Sequence, residues 1–277
     1  MIKDITMGQY YQADSVSHKL DPRVKIMGTL VYMISLFIFN NIYVYGLAII
    51  FLLTVILLTK VPFGYMFRGM KAVLFLMLIT IFCNLFFTPG DELWSFWVLK
   101  ITKEGILASI YMLCRLTLLI VSASIMTLTT TPNQLTDGLE SIFKPLKIFK
   151  VPVHEVAMMM SIALRFIPIL MEETDKITKA QTARGARFDS KNPIEKVKSL
   201  VPLMVPLFIS AFRRASDLAL AMEARCYHGG EGRTKLKPLK YKGRDFVSYF
   251  ILTLYLGGMV AIGILYLNGV IMFSIPF

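Results

Sequence analysis

Two arginines in the second half of the chain stand in the same short pattern. Residues 180–185 read Ala-Gln-Thr-Ala-Arg-Gly and residues 221–226 read Ala-Met-Glu-Ala-Arg-Cys, so Arg184 and Arg225 each precede a small residue. A guanidinium donates hydrogen bonds in a planar fork that fits a carboxylate, and alanines one turn apart leave room for a close approach. The pattern therefore indicates two docking points for a partner. The alternative is a pair of solvated cations that stabilise the C-terminal end of a helix dipole.

The rest of the chain contains no recognised set of catalytic or metal-binding residues. It has no Walker-type phosphate loop, no His-Glu-x-x-His pair and no Gly-x-Ser-x-Gly elbow. The three histidines do not cluster, and the three cysteines are far apart in sequence, which is not the pattern of a zinc site or a disulfide framework. We therefore expect a protein that is not an enzyme and that binds no metal or cofactor of its own.

Long apolar blocks dominate the composition. The chain has 277 residues, of which 56% are hydrophobic, and a mean hydropathy of +0.62. Soluble domains are usually about 45–50% apolar, and a helix needs about 20 apolar residues to cross a bilayer. Five blocks approach or exceed that length: 24–40, 42–59, 72–87, 105–130 and 246–267. The sequence thus predicts an all-α integral membrane protein with about five transmembrane helices.

The charges of the loops predict the orientation of these helices. The net charge is +12, and Lys and Arg collect in the cytoplasmic loops of membrane proteins. The N-terminal segment and the 60–71 loop are basic, the 40–41 loop is uncharged, and the 88–104 loop is mixed, with Trp94 and Trp97 expected at the headgroup level. The N-terminus is therefore predicted to be cytoplasmic. Nucleic acid is not an expected partner, because no nucleic-acid-binding motif accompanies the charge.

One region is more basic than the rest, since 132–244 contains 20 of the 30 Lys and Arg residues. It has explicit helix starts: Thr131-Pro-Asn-Gln134 fits a capping box, and Asn192-Pro-Ile-Glu195 repeats the pattern. We predict one short helix and two long ones, at about 132–146, 152–185 and 193–226. The chain then divides into a membrane domain at 1–131, a cytoplasmic helical domain at 132–244, and the last transmembrane helix with an external tail at 245–277.

Both long helices contain apolar runs within this basic region. Residues 156–171 are mostly apolar, yet lysines stand on both sides of the run, and a span would place one basic cluster outside the cell. We predict that the two helices lie at the cytoplasmic face, with a membrane-spanning pair as the alternative. Pro168, Pro202 and Pro206 each remove a backbone hydrogen bond inside these helices and are expected to kink their axes.

Two further features are candidate contact surfaces. Arg115 lies about midway along the fourth apolar block, where a charge usually faces a bundle interior or a partner. A snorkelling or structural arginine is the alternative there. A methionine patch includes Met158 and Met159, and methionine makes adaptable contacts, although ordinary core packing would also explain it. No Asp or Glu lies deep in an apolar block, which argues against a carrier coupled to protons or sodium.

Five stretches, in order along nearly the whole chain, resemble the transmembrane T component of energy-coupling factor (ECF) vitamin transporters, the EcfT/CbiQ family. They are Leu20-Asp-Pro-Arg-Val-Lys25, Thr131-Pro-Asn-Gln-Leu135, Leu164-Arg-Phe-Ile-Pro168, Ala180-Gln-Thr-Ala-Arg-Gly185 and Ala221-Met-Glu-Ala-Arg-Cys226. The paired Ala-Arg-Gly motif is the specific one. Cys226 departs from it, because a glycine would be expected there, but Arg225 is retained.

The resemblance implies a coupling subunit of an ATP-driven importer in the bacterial cell membrane. Such a subunit bridges two ABC-type ATPase subunits (EcfA and EcfA′-like), which bind the ATP, and a small membrane S component, which binds the vitamin. By this analogy Ala183-Arg184-Gly185 docks one ATPase and Ala224-Arg225-Cys226 docks the other. Candidate structural or S-component contacts are Arg115, Met158, Met159, Arg165, Pro168, Pro202 and Pro206. A stand-alone carrier or channel is the alternative function.

Overall fold

A computed structural model describes residues 10–38, 41–90, 92–96, 99–186, 188, 193–230 and 238–267. Within these ranges the α-helices are α1 Pro22–Ile38, α2 Ile42–Thr59, α3 Phe63–Phe87, α4 Lys103–Thr129, α5 Pro132–Phe143, α6 Val153–Ala183, α7 Pro193–Ala224 and α8 Gly243–Leu267. A 3₁₀ helix, Lys144–Phe149, follows α5, and strands β1 Glu92–Phe96 and β2 Leu99–Thr102 precede α4. The predicted all-α membrane fold is confirmed: the five apolar blocks form α1 to α4 and α8, and the basic region forms one short and two long helices.

Four described helices are long and apolar enough to cross a bilayer. They are Ile42–Thr59, Lys103–Thr129, Val153–Ala183 and Gly243–Tyr266. A shorter apolar stretch, Val73–Phe87, lies within α3, and α1 has 17 residues. Because α6 is one of the four, length and composition alone do not separate it from the membrane helices. Its position outside the bilayer stays a prediction, which depends on the lysines at both of its ends.

The start of α3 differs from the sequence prediction, whereas the end of α2 agrees with it. Helix α2 ends at Thr59, as the apolar block 42–59 predicts, and Lys60 adopts a left-handed conformation with φ of 54°. Helix α3 begins at Phe63, before the predicted block 72–87. Pro62 then takes the N-cap position of α3, where its missing N–H group is no loss. Gly64 is therefore helical, and α3 has 25 residues.

A β-hairpin occupies the loop between α3 and α4, where no strand was predicted. Strands β1 and β2 are antiparallel, with Ser95 opposite Lys100 and Phe96 opposite Leu99. The pairing of the two strands provides hydrogen-bond partners for backbone N–H and carbonyl groups of this loop. Trp97 lies outside the described residues, and the headgroup position of Trp94 stays a prediction.

The described residues fall into two compact units. The membrane unit contains those of Gly8–Gly138 and Leu239–Phe277, and the basic unit contains those of Leu139–Pro238. The domain limits predicted at residues 132 and 244 stay predictions. Helix α5 begins as predicted, because Thr131 and Gln134 form a reciprocal capping box with N···O distances of 3.2 and 3.3 Å.

The core of the membrane unit is held by aromatic packing and short polar contacts between helices. Tyr32 Oη donates to the carbonyl oxygen of Ala48 at 3.2 Å, and Ser35 Oγ lies 2.9 Å from Tyr255 Oη. The ring of Tyr255 stacks on Phe51 with centroids 4.4 Å apart. These contacts join α1, α2 and α8. Packing and interhelical hydrogen bonds are what hold membrane helices together, since lipid provides no hydrophobic drive between them.

The N-terminal ends of α1 and α8 are joined to the C-terminal end of α4 by a terminal clasp, the residues Asp21, Lys25, Thr129 and Asp245. The Asp245 carboxylate accepts hydrogen bonds from the backbone N–H of Asp21 at 2.9 Å and of Lys242 at 2.7 Å. Lys25 Nζ donates to the carbonyl oxygen of Thr129 at 2.8 Å. All four clasp residues are buried. The clasp thus gives partners to helix-end groups that would otherwise lack them.

We expect the Asp245→Ala substitution to lower the thermal stability of the protein markedly. It removes two hydrogen bonds to a buried carboxylate, each worth about 1.5–3 kcal/mol, and one of them joins the start of α8 to the start of α1. The measurement is the midpoint of thermal unfolding in a fixed detergent. Asp14→Ala is the matched control, because the Asp14 side chain is 90% exposed and pairs only with Lys19 at the surface. Equal midpoints for the two variants would contradict the structural role of the clasp.

Candidate functional site

Helix α6 ends in a closed turn that places one of the paired arginines at its C-cap. Ala183 is the last helical residue, Arg184 is the C-cap, and Gly185 has φ of 94°. The N–H of Gly185 donates to the carbonyl of Thr182 at 2.9 Å, and the N–H of Ala186 donates to the carbonyl of Gln181 at 3.0 Å. This crossed pair of bonds is a Schellman motif, which satisfies carbonyl groups that a helix end leaves open.

Helix α7 ends in the same turn. Ala224 is the last helical residue, and Cys226 has φ of 53°. The N–H of Cys226 donates to the carbonyl of Glu223 at 2.8 Å, and the N–H of Tyr227 donates to the carbonyl of Met222 at 3.1 Å. Each bond corresponds to one at the end of α6. The sequence repeat is therefore also a structural repeat, with a cysteine taking a left-handed position that usually belongs to glycine.

Both ends present an exposed arginine on a compact backbone. We name them the α6 tip (Ala183, Arg184 and Gly185) and the α7 tip (Ala224, Arg225 and Cys226). All six residues are exposed. A Cβ atom on Gly185 would meet no atom within 4 Å, so glycine is required there by the backbone conformation and not by space. The docking role of Arg184 and Arg225 stays a prediction.

The two long helices contact each other through a polar group that lies about two thirds of the way along each helix. Arg214 Nη2 on α7 donates to Glu173 Oε2 on α6 at 2.9 Å, and Ser210 Oγ donates to Glu173 Oε1. The Arg214 side chain is 39% exposed and the Glu173 side chain 23%. One carboxylate on α6 thus receives a bond on each oxygen from α7. Sequence reasoning did not single out these three residues.

A shallow apolar groove of about 300 Å³ lies beside this polar group. Its α6 wall consists of large side chains one turn apart, Ile162, Phe166 and Leu170. Its α7 wall contains three alanines at the same four-residue spacing, Ala211, Ala215 and Ala219. Small residues at this spacing let helix backbones approach closely. Four-residue rows on both faces are typical of helices that cross at about 50°.

The two helices run in opposite directions past the polar group, since the groove is lined by α6 residues that precede Glu173 and by α7 residues most of which follow Arg214. The chain after α7 returns to the start of α6, because a Cβ atom on Gly230 would lie 2.2 Å from the His154 ring. The α7 tip is therefore near the beginning of α6, and the α6 tip is at its end. Arg184 follows Glu173 by eleven residues and Arg225 follows Arg214 by eleven residues. Each tip thus extends about 16 Å beyond the ion pair, at 1.5 Å per residue.

The predicted contact residues on the long helices differ in exposure. Met159, Arg165 and Pro202 are exposed, whereas Met158, Pro168 and Pro206 are half-buried. The three prolines lie inside their helices, as predicted. Exposed apolar side chains continue along α7 away from the groove, and they include Val205, Phe208, Ile209 and Phe212, at 52–71% exposure. This apolar surface is large for a unit that carries so much charge. The contact roles of these residues stay predictions.

Arg115 is held by aromatic side chains of the membrane unit. Its Nε donates to Tyr45 Oη at 2.8 Å, and its guanidinium carbon lies 5.6 Å from the centre of the Phe37 ring. The Tyr45 ring packs on Tyr111 with centroids 5.6 Å apart. Hydrogen bonding and cation–π attraction both stabilise a charge in an apolar setting. The arrangement favours a structural arginine, and a contact between Arg115 and an S component stays a prediction.

Within the described residues, no group of three or more His, Cys, Asp or Glu side chains is placed to hold a metal ion. Cys83 and Cys226 are exposed, and Cys114 is partly exposed, without a disulfide. His154 lies 3.0 Å from a Glu140 oxygen, which joins the end of α5 to the start of α6. The described surface of the basic unit offers exposed cations and apolar side chains.

Comparison with known proteins gives consistent matches over most of the chain. The family model described as CbiQ, cobalt transport protein, matches residues 13–236. The chain is 54% identical over 250 residues to the energy-coupling factor transporter transmembrane protein EcfT of Clostridium kluyveri, which covers 90% of this chain and 93% of that protein. It is 45% identical over 246 residues to the EcfT of Bacillus subtilis, covering 88% and 93%. It is also similar to the EcfT of Lactococcus lactis, at 42% over 259 residues, covering 92% and 97%.

We expect the Cys226→Gly substitution to stabilise the last turn of α7. A left-handed conformation is unfavourable for a residue with a Cβ by about 1–2 kcal/mol, and glycine removes that strain. Amide hydrogen exchange at the end of α7 should therefore slow several-fold. Cys226→Ala is the control, because it removes the thiol and keeps the Cβ. If the glycine and alanine variants exchange at the same rate, the backbone strain at this position is not what limits the tip.

Proposed function

Because the chain belongs to the CbiQ cobalt transport protein family and is a transmembrane component of an energy-coupling factor transporter, we propose that it is the coupling subunit of an ATP-driven importer. It transmits the closure of two ABC-type ATPase subunits to a membrane S component that binds a vitamin. The ATP is bound by the ATPase subunits, and this chain has no cofactor of its own. The chain lies in the bacterial cell membrane with its N-terminus in the cytoplasm.

The observation that supports this function is the repetition of one helix end at both ends of one helix pair. Two tips with the same Schellman turn and the same C-cap arginine can bind two similar partners in the same way. The tips are at most about 33 Å apart, since each lies about 16 Å from the ion pair along its helix. Two separate ATPase subunits, each binding one tip, fit this arrangement.

The chemistry of each tip fits a protein pocket with an acidic group. An arginine binds a carboxylate with two parallel hydrogen bonds, and this geometry is specific as well as strong. Ala183 and Ala224 have side chains too small to obstruct the approach, and the positive-φ residues that follow turn the chain back. A partner pocket can therefore enclose the whole tip. Such an enclosed charge pair is worth more than a surface pair, because water competes with it less.

The apolar faces of the long helices fit the S component. Met159, Val205, Ile209 and Phe212 are each more than half exposed in a unit that is otherwise basic. A hydrophobic membrane subunit would cover such a surface, and methionine adapts to more than one partner. The crossed helices then connect this surface to both tips. When the ATPases draw together, the tips move, and the apolar faces move with them.

We expect charge reversal at the tips to remove the ATPases one at a time. When the affinity-tagged chain is coexpressed with its two ATPases, Arg184→Glu should lose one ATPase chain on purification and Arg225→Glu the other. The double variant should lose both. A new carboxylate repels the acidic pocket that the arginine binds, so affinity should fall at least tenfold, or about 1.4 kcal/mol.

Lys179→Glu is the matched control, because Lys179 is an exposed cation on α6 close to the tip but outside it. This variant should retain both ATPases. Copurification of both ATPases with the double variant Arg184→Glu/Arg225→Glu would show that the tips are not the docking sites. Loss of both ATPases from the Lys179→Glu variant would show that general basic charge, and not the tip, holds the partners.

A further inference from the structure

We propose that Glu173 and Arg214 form a pivot that fixes the register of the two long helices and lets them turn about one point. The inference rests on the proposed coupling function for its purpose. Its geometry stands on the contacts of the basic unit alone. Glu173 and Arg214 are thereby positioning residues, since they act on the partners only through the tips.

Glu173 and Arg214 occupy equivalent positions in the sequence repeat. The two tip motifs are 41 residues apart, and so are Glu173 and Arg214. Each residue therefore contacts its own counterpart in the other helix. Such a contact between equivalent positions is the mark of a two-fold axis, here an approximate one. An axis through this point places the two tips at equal distances from the ion pair, so that movement at one tip is matched by movement at the other.

The contact at Glu173 is a compact group of hydrogen bonds. Both oxygens of the Glu173 carboxylate accept bonds from α7, one from Ser210 Oγ and one from Arg214 Nη2. These atoms form a single local group, which resists sliding, because a shift of one helical turn moves a side chain by about 5.4 Å. A rotation about the group changes its distances far less. The ion pair therefore allows α6 and α7 to rotate relative to each other and opposes the sliding of one helix along the other.

The alanine row beside the ion pair does not fix the register of the two helices. The α7 wall of the groove beside the pair contains Ala211, Ala215 and Ala219, together with the larger Leu218 and Met222. Identical small side chains at a regular spacing give nearly the same packing after a shift of one turn, so the alanine row by itself does not select one register. The ion pair adds that selection, as a single polar residue does in a coiled coil.

The experiment measures the distance between nitroxide labels on Lys179→Cys and Glu223→Cys, in a full-length chain whose native cysteines are replaced by serine. The labelled chain is placed in lipid nanodiscs without ATPases and measured by pulsed electron paramagnetic resonance. Glu173→Gln and Arg214→Gln should each at least double the width of the distance distribution. The charge swap Glu173→Arg/Arg214→Glu should return the width to that of the unswapped chain.

The controls are the neighbouring residues Glu172 and Arg213, which are exposed and have the same side-chain types. Glu172→Gln and Arg213→Gln should leave the distribution unchanged. The pivot is overturned if Glu173→Gln and Arg214→Gln keep the original width, or if the swap stays as broad as the single variants.

A second arm of the experiment separates this result from the proposed function. The same labelled chain is measured in its complex with both ATPases, with and without ATP and vanadate. The coupling proposal predicts a shift of the mean distance with ATP, which the single pivot variants should broaden. A distance that never responds to ATP, together with broadening in the chain alone, would overturn the coupling function while the pivot stands.

Discussion

Several of the described helix ends satisfy their backbone groups within the protein, and the structure of the membrane unit depends on that constraint. A helix leaves four N–H groups and four carbonyls without partners, and a bilayer provides no water to replace them. At some helix ends a nearby side chain binds these backbone groups, as in the capping box of Thr131 and Gln134. Where three helix ends meet, the buried carboxylate of Asp245 and the ammonium of Lys25 bind backbone groups of other helices.

The same constraint explains the form of the candidate docking sites. A helix end that satisfies its own carbonyls in a Schellman motif needs no partner for its backbone. The guanidinium beside it is then the only strong donor left at the surface of the tip. Lys150 shows that a left-handed residue alone does not make such a site, since it ends the 3₁₀ helix at φ of 60° with a single backbone bond to Lys147. The tips differ by their second, crossed bond and by the arginine at the C-cap.

Much of the fold could be predicted from the sequence because its signals are local. The limits of α2, α4 and α7 follow from apolar length, capping residues and prolines, and the structure places them within a few residues of the predicted positions. Contacts between distant residues could not be predicted in this way. Asp21 and Asp245 are 224 residues apart, and no periodicity joins them. Glu173 and Arg214 had a usable signal, since they share the 41-residue offset of the tips, but that offset becomes a contact only in the folded helix pair.

The exposed apolar side chains have two different physical explanations. Those of the membrane unit, such as Leu57 and Phe75 at 74%, lie on helices that a bilayer would surround. Those of α7 lie on a helix whose alanine face already packs against α6. A helix that is apolar on two faces tends to be buried on both, and within the basic unit α7 packs its alanine face against α6. Under the proposed function, the S component would cover the second face at Val205, Ile209 and Phe212. The ATPase subunits would in the same way cover the exposed tips at the ends of the long helices.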